Sequence, residues 1–61
     1  MNLVYGEVVE VFSEDGMKFG KIRVGGALKE ITLELLTDVA PGDRVLICDG
    51  VAISKVDEIS G

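Results

Sequence analysis

The sequence predicts an all-β fold, a small and partly open barrel of five short strands with a C-terminal flap. Short runs rich in β-branched and aromatic residues alternate with turns that contain Gly, a pattern typical of strands. The apolar alternation slips by one residue inside two of these runs, and a later run is apolar on both parities. A chain of 61 residues suits one domain, which we place at residues 1–61.

The first three runs predict an antiparallel meander. Residues 3–12 are rich in Val and aromatic residues and predict the first strand, and residues 13–16 end in Gly and predict a hairpin connection. Residues 17–24 predict the second strand. The pair Gly25–Gly26 predicts a two-residue turn, after which residues 27–33 return as the third strand.

The slips in alternation indicate that the sheet bends. One slip falls between Val8 and Val9, and the other falls at Gly20. A shift of one residue indicates a bulge or a sharp bend, and Gly inside a strand favours both. Bends in two consecutive strands predict a sheet that closes on itself as a small barrel.

Residues 33–43 interrupt the strand pattern. Leu33 and Leu36 suit one face of a single helical turn, and Pro41–Gly42 fits the centre of a type II turn. These residues therefore predict a connection between the meander and the last two strands.

The run at 44–48 is apolar on both parities after its first residue, as in a strand that is covered on both faces. We expect the following residues to supply the outer cover. They predict a strand over 51–54 and then a fraying helical turn, with apolar residues at helical spacing: Ile53, Val56 and Ile59.

The net charge of −5, from 6 basic and 11 acidic residues, opposes attraction to nucleic-acid backbones and anionic lipids. Four cations nevertheless fall close together in the sequence: Lys18, Lys21, Arg23 and Lys29. Three interpretations of this patch remain open: a solvated face, a docking surface for an acidic protein, and a single-stranded nucleic-acid site of the OB type. The chain has few aromatic residues to stack on bases, and we expect Phe19 to pack inward.

Composition gives no catalytic residues. The chain has no His, so no nucleophile and base can be paired, and we predict a protein that is not an enzyme. One soft ligand without a second Cys or His makes no tight metal site, so we predict no metal and no cofactor. We expect the single thiol, Cys48, to be a buried strand residue; the alternative is a thiol that contacts a partner or senses redox state.

The size of the chain and its apolar pattern predict its location and its need for a stabilising partner. No apolar run approaches the roughly 20 residues that span a bilayer, and the first residues lack a basic leader. We expect a cytoplasmic protein. A domain this small has a thin core, so a protein partner or self-association is expected to add stability.

The chain resembles the hydrogenase assembly chaperones of the HypC/HupF family over nearly its whole length. The stretch GEVVEV at 6–11 resembles the family's opening strand, and residues 24–58 resemble its central signature. The specific part is APGDRVLICDGVAISKVDE at 40–58, because it matches an ordered set of family positions rather than one turn motif.

The resemblance implies a small barrel similar to the OB type, with a short C-terminal tail. It implies a chaperone that escorts iron carrying cyanide and carbon monoxide ligands. Members of the family receive this cargo with a scaffold protein, HypD, and deliver it to the precursor of the large subunit of nickel–iron hydrogenase. The implied partners are therefore the scaffold and the precursor.

Two positions depart from the family pattern. Members typically carry a functional Cys directly after the first Met, where this chain has Met1 or Asn2, depending on a one-residue gap. The family usually has His at the end of the fourth strand, where this chain has Cys48. We therefore expect a chaperone or adaptor that does not carry iron by the usual thiol route. The residues that correspond to the family's interaction surface are the predicted partner-binding residues: Met1, Asn2, Leu3, Val4, Tyr5, Cys48 and Asp49.

Overall fold

The computed structural model describes residues 3–56, which form five β-strands closed into a barrel. The strands are β1 (Leu3–Glu14), β2 (Met17–Val24), β3 (Ala27–Thr32), β4 (Arg44–Cys48) and β5 (Val51–Val56). Their order around the barrel is β1-β2-β3-β5-β4. Neighbouring strands are antiparallel except β3 and β5, which are parallel and meet at one residue pair. The predicted all-β barrel is confirmed; the predicted C-terminal tail lies outside the described residues.

β1 is long enough to pair with two neighbours. Its first half pairs with β4, from Leu3 opposite Cys48 to Glu7 opposite Arg44. Its second half pairs with β2, and the register shifts between Val8 and Glu10. The bulge predicted from the slip at Val8 is confirmed, and it bends β1 so that one strand can take part in both halves of the barrel.

The bulge predicted as one explanation of the slip at Gly20 is absent. Gly20 stays in regular register with both neighbours, opposite Val11 and Ile31, and it is Gly because a Cβ there would come 2.7 Å from Leu33 Cδ1. Phe19 points outward rather than inward, since the neighbouring even positions of β2, Gly20 and Ile22, are the buried ones; its ring stacks on that of Phe12 with centroids 5.9 Å apart. The alternation breaks because an aromatic pair covers the outer face.

The turns follow the strand registers. Glu14 pairs with Met17, so the first hairpin has two turn residues rather than the four predicted, and both have positive φ: Asp15 at 54° and Gly16 at 79°. These angles match the turn type that suits the twist of a hairpin. The predicted Pro41–Gly42 turn is confirmed, with Gly42 at φ 97° and the Asp43 N–H donating to the Ala40 carbonyl at 3.0 Å.

β5 continues further than predicted. Lys55 and Val56 pair with Val45 and Arg44 of β4, so the residues expected to begin a helical turn remain in a strand. This corrects the predicted turn at Ile53 and Val56; Ile59 lies outside the described residues. In the described part of the chain, no helix is long and apolar enough to cross a membrane.

The interior of the barrel is filled by aliphatic side chains. In residues 3–56 no polar side chain is buried. The core consists of eight residues: Val8, Ile22, Ile31, Leu33, Val39, Val45, Ile47 and Ala52. Each strand contributes at least one of them, so closure of the barrel and formation of the core are the same event.

The connection at 33–43 is fastened to β5 by a lysine. Leu36 N–H donates to the Leu33 carbonyl at 3.1 Å, which gives the single turn predicted there. The Lys55 ammonium donates to the Asp38 carbonyl at 3.1 Å and lies 3.5 Å from the Asp43 carboxylate. The Ala40 N–H donates to Asp43 at 2.9 Å and lowers the pKa of Asp43; partial desolvation opposes this, and Lys55 lowers the pKa further.

Gly6→Ala should destabilise the barrel, because a Cβ at Gly6 would collide with Ile22 and lie 3.1 Å from Ile47 Cδ1. We expect a loss of about 1–3 kcal/mol in the free energy of unfolding, as for overpacked cores, measured by urea denaturation. Gly26→Ala is the matched control, since nothing lies within 4 Å of its added Cβ. Equal stability of the two variants would contradict the close packing of β1 on the core.

Asp43→Asn should lower stability at neutral pH by weakening the fastening of the 33–43 connection. Folding lowers the pKa of Asp43 from 3.8. The ionised carboxylate therefore stabilises the folded chain above pH 3.8, and this stabilisation is lost as the pH falls through the lower pKa of the folded state. The difference from the original chain should therefore vanish at acid pH in unfolding curves. Asp38→Asn keeps the carbonyl that Lys55 contacts and should change little; an equal effect of both substitutions would refute the role of Asp43.

Candidate partner-binding site

One end of the barrel brings most of the predicted partner-binding residues together. The start of β1 lies beside the end of β4, with Leu3 opposite Cys48, Val4 opposite Ile47 and Tyr5 opposite Leu46. Asp49 follows in the turn between β4 and β5, with φ at 52°. Met1 and Asn2 lie outside the described residues. Strand pairing thus joins two segments from opposite ends of the sequence into one surface.

An apolar face covers the outside of the barrel at this end. Leu3 is 51% exposed and Tyr5 is 66% exposed, and both lie on the outer side of β1 opposite half-buried residues of β4. We call this surface the apolar face; it consists of Leu3, Tyr5, Leu46, Cys48 and Val51. The sequence analysis predicted three of its members: Leu3, Tyr5 and Cys48. Leu46 could have been found as well, because apolar residues at both odd and even positions of β4 indicate that its outer side is also apolar.

Cys48 is half-buried on the apolar face rather than in the core, so the expectation of a buried strand residue is wrong. It belongs to the outward parity of β4, and Val45 and Ile47 take the inward positions. Its thiol donates to the Asp49 carboxylate at 3.8 Å, a long contact. The thiol therefore lies at the surface of the barrel, beside Leu3 of β1.

A cavity of about 520 Å³ lies on the inner side of the same end. Most of its lining is aliphatic, and Lys29 and Asp49 add one charge of each sign. The lining residues are Leu3, Val4, Val24, Lys29, Ile31, Ile47, Asp49 and Gly50. Sequence reasoning missed this cavity, because Lys29 was grouped with the basic patch and the other residues come from four separate segments.

The basic patch of the sequence does not become a basic surface. Lys21 lies between two acids of the neighbouring strands, opposite Glu10 on β1 and opposite Glu30 on β3. Arg23 lies opposite Glu7. Cross-strand neighbours share one face of a sheet, so these acids offset the positive potential that a nucleic-acid backbone would need.

The other two cations of the predicted patch lie elsewhere. Lys18 is opposite Ser13 at the far end of the barrel, where its backbone N–H donates to Glu34 at 2.7 Å. Lys29 is opposite the buried Ile22 and lines the cavity. The four cations are therefore spread over three places.

Potential metal ligands are not clustered in the described part of the chain. Within residues 3–56, no group of three or more His, Cys, Asp or Glu side chains could hold a metal ion.

The fold and the apolar face define a small β-barrel domain that can present its surface to another polypeptide. The model of the HupF/HypC family matches residues 4–60. The chain is also similar to a protein named hydrogenase maturation factor HypC from Synechocystis sp., with 40% identity over 55 residues, covering 87% of this chain and 72% of that protein.

The chain belongs to the HupF/HypC family of hydrogenase maturation chaperones. The resemblance predicted from the sequence is confirmed. Neither comparison supports the nucleic-acid alternative.

Proposed function

We propose that this chain is a non-enzymatic chaperone or adaptor that works in the cytoplasm and binds either the maturation scaffold HypD or the large-subunit precursor of a nickel–iron hydrogenase. The observation that carries the proposal is the apolar face, where Leu3 and Tyr5 are 51% and 66% exposed. The proposed contacts are residues 1–5, Cys48 and Asp49.

The apolar face has the chemistry of a protein interface. Contiguous exposed apolar side chains mark surfaces that bind other macromolecules, and a Tyr in such a surface is among the residues that most often contribute much of the binding energy. Burial of apolar surface stabilises a complex by about 25 cal/mol per Å² before the costs of association are subtracted. Leu3 and Tyr5 lie on a paired strand, so little backbone order must be gained on binding.

The proposed role does not include iron transport by the usual thiol route. Met1 or Asn2 stands where the family typically has its functional Cys, and Cys48 stands where it usually has His. A single thiol beside a carboxylate is a poor site for tight binding of iron, which needs several ligands. The family's adaptor function can persist without that route, because the apolar face does not depend on a metal.

Tyr5→Ser should weaken binding to the purified scaffold or precursor by about tenfold or more, since truncation of an aromatic hot-spot residue costs about 2 kcal/mol or more. Isothermal titration calorimetry measures the effect. Leu35→Ser is the matched control, because Leu35 is also 66% exposed but lies in the connection between β3 and β4 and is not a member of the apolar face. Tight binding by the Tyr5 variant, or equal loss in the control, would refute this interface.

Purified without oxygen, the chain should hold iron well below one equivalent, and Cys48→Ser should not change that content. The reason is that one thiol cannot complete an iron site. Elemental analysis alongside protein quantification makes the measurement, with a family member that has the N-terminal Cys as the reference. Stoichiometric iron that is lost in Cys48→Ser would contradict the adaptor proposal.

A further inference from the structure

The barrel has a seam along one edge of β3. β3 pairs with β2 over its whole length but meets β5 only at Thr32, opposite Val51. From Ala27 to Ile31, β3 therefore has no strand partner on its other side within residues 3–56. Unpaired strand edges of this kind are templates for another strand.

The hydrogen-bond register shows which backbone groups face the seam. The Leu33 N–H donates to the Lys18 carbonyl at 2.9 Å, so the pair Lys18 and Leu33 is a hydrogen-bonded pair of the ladder. Such pairs alternate along antiparallel strands, so Lys29 and Ile31 also bond to β2. Leu28 and Glu30 consequently direct their N–H and C=O groups toward the seam.

The cavity lies at this seam. Lys29 and Ile31 line it from β3, and Ile47, Asp49 and Gly50 line it from the other side. A strand added along β3 would run over the cavity, with every second side chain directed into it. Within residues 3–56, Lys29 has no ion-pair partner, so its ammonium can meet an acidic side chain there.

We propose that the seam takes an extended segment of the partner polypeptide as an additional strand on β3. The segment places an aliphatic side chain in the cavity against Ile31 and Ile47, and an acidic side chain two residues away beside Lys29. Backbone bonds to Leu28 and Glu30 supply affinity, and the two side chains supply specificity. The inference rests on the proposed function for the identity of the partner, but it concerns the edge of β3 and the cavity beside it, which share only Leu3 with the apolar face.

Glu30→Pro tests the proposal. Proline removes the N–H that faces the seam and leaves the bonds to β2 intact, as proline does at strand edges. Binding of the scaffold or precursor should weaken about tenfold or more, the equivalent of about 1.4 kcal/mol for one or two lost backbone bonds. Glu30→Ala is the matched control and should bind within about twofold of the original chain, since only the side chain is lost.

A designed peptide separates this inference from the proposed function. The probe is an acetylated peptide in which a leucine and a glutamate alternate with threonines, and its control carries N-methyl groups on the pairing edge. With the isotope-labelled full chain, the first peptide should shift the amide NMR signals of Leu28 and Glu30, and the methylated peptide should not. Glu30→Pro, shown to be folded by its NMR spectrum, should lose the effect.

The outcomes are distinguishable. If neither purified protein binds the original chain, the proposed function fails; the peptide titration still decides the seam. If Glu30→Pro binds the partner as well as Glu30→Ala does, or the peptide leaves the Leu28 and Glu30 signals unchanged, the seam proposal is wrong. If sedimentation shows that the original chain is a dimer and the Glu30→Pro variant is a monomer, the seam pairs with a second copy of the chain. That result would refute the proposal that a segment of the partner polypeptide binds there.

Discussion

The pairing of the first half of β1 with β4 is the interaction on which the rest of this structure depends. It closes the barrel and joins the two ends of the sequence. The closure is possible because Gly6 lets the backbone of β1 approach Ile22 and Ile47, where no Cβ would fit. The same pairing sets Val4 toward the cavity and sets Leu3 and Tyr5 outward beside Cys48. Closure and presentation of the apolar face therefore have one physical cause.

In a barrel of this size the core fills the interior, so contact with other molecules takes place at the surface. The aliphatic core uses the inner positions of every strand, and in residues 3–56 none of the buried side chains is polar. The outer face carries opposite charges side by side, such as Lys21 between Glu10 and Glu30. What distinguishes one region of the surface from another is apolar area, and half of the large apolar side chains that are exposed in the described part of the chain lie on β1: Leu3, Val4, Tyr5 and Val9. The family assignment and the physics of the surface agree on a protein that binds proteins.

Local patterns predicted much of the fold. The bounds of β2 and β4 and the bulge after Val8 followed from turn residues and from alternation. A bulge was wrongly expected at Gly20, because a Gly inside a strand can mark either a bulge or a close approach such as that to Leu33, and only tertiary packing separates them. β5 was predicted too short, since its last residues are held by pairing with β4 rather than by their own propensity. The cavity and the seam depend on the single contact between β3 and β5, and no local pattern encodes it.

The sharing of β1 also has a mechanical consequence. Apart from β1, the meander and the β4–β5 hairpin are connected in the sheet only where Thr32 meets Val51. The first half of β1 therefore holds the meander and the β4–β5 hairpin together. Its contacts with β4 join residues that are distant in sequence, so they are expected to form late in folding. A binding partner that displaced the first half of β1 from β4 would leave the meander and the β4–β5 hairpin paired only at Thr32 and Val51. Binding that leaves the pairing of β1 with β4 intact, whether on the exposed side chains of Leu3 and Tyr5 or along the edge of β3, would keep the barrel closed.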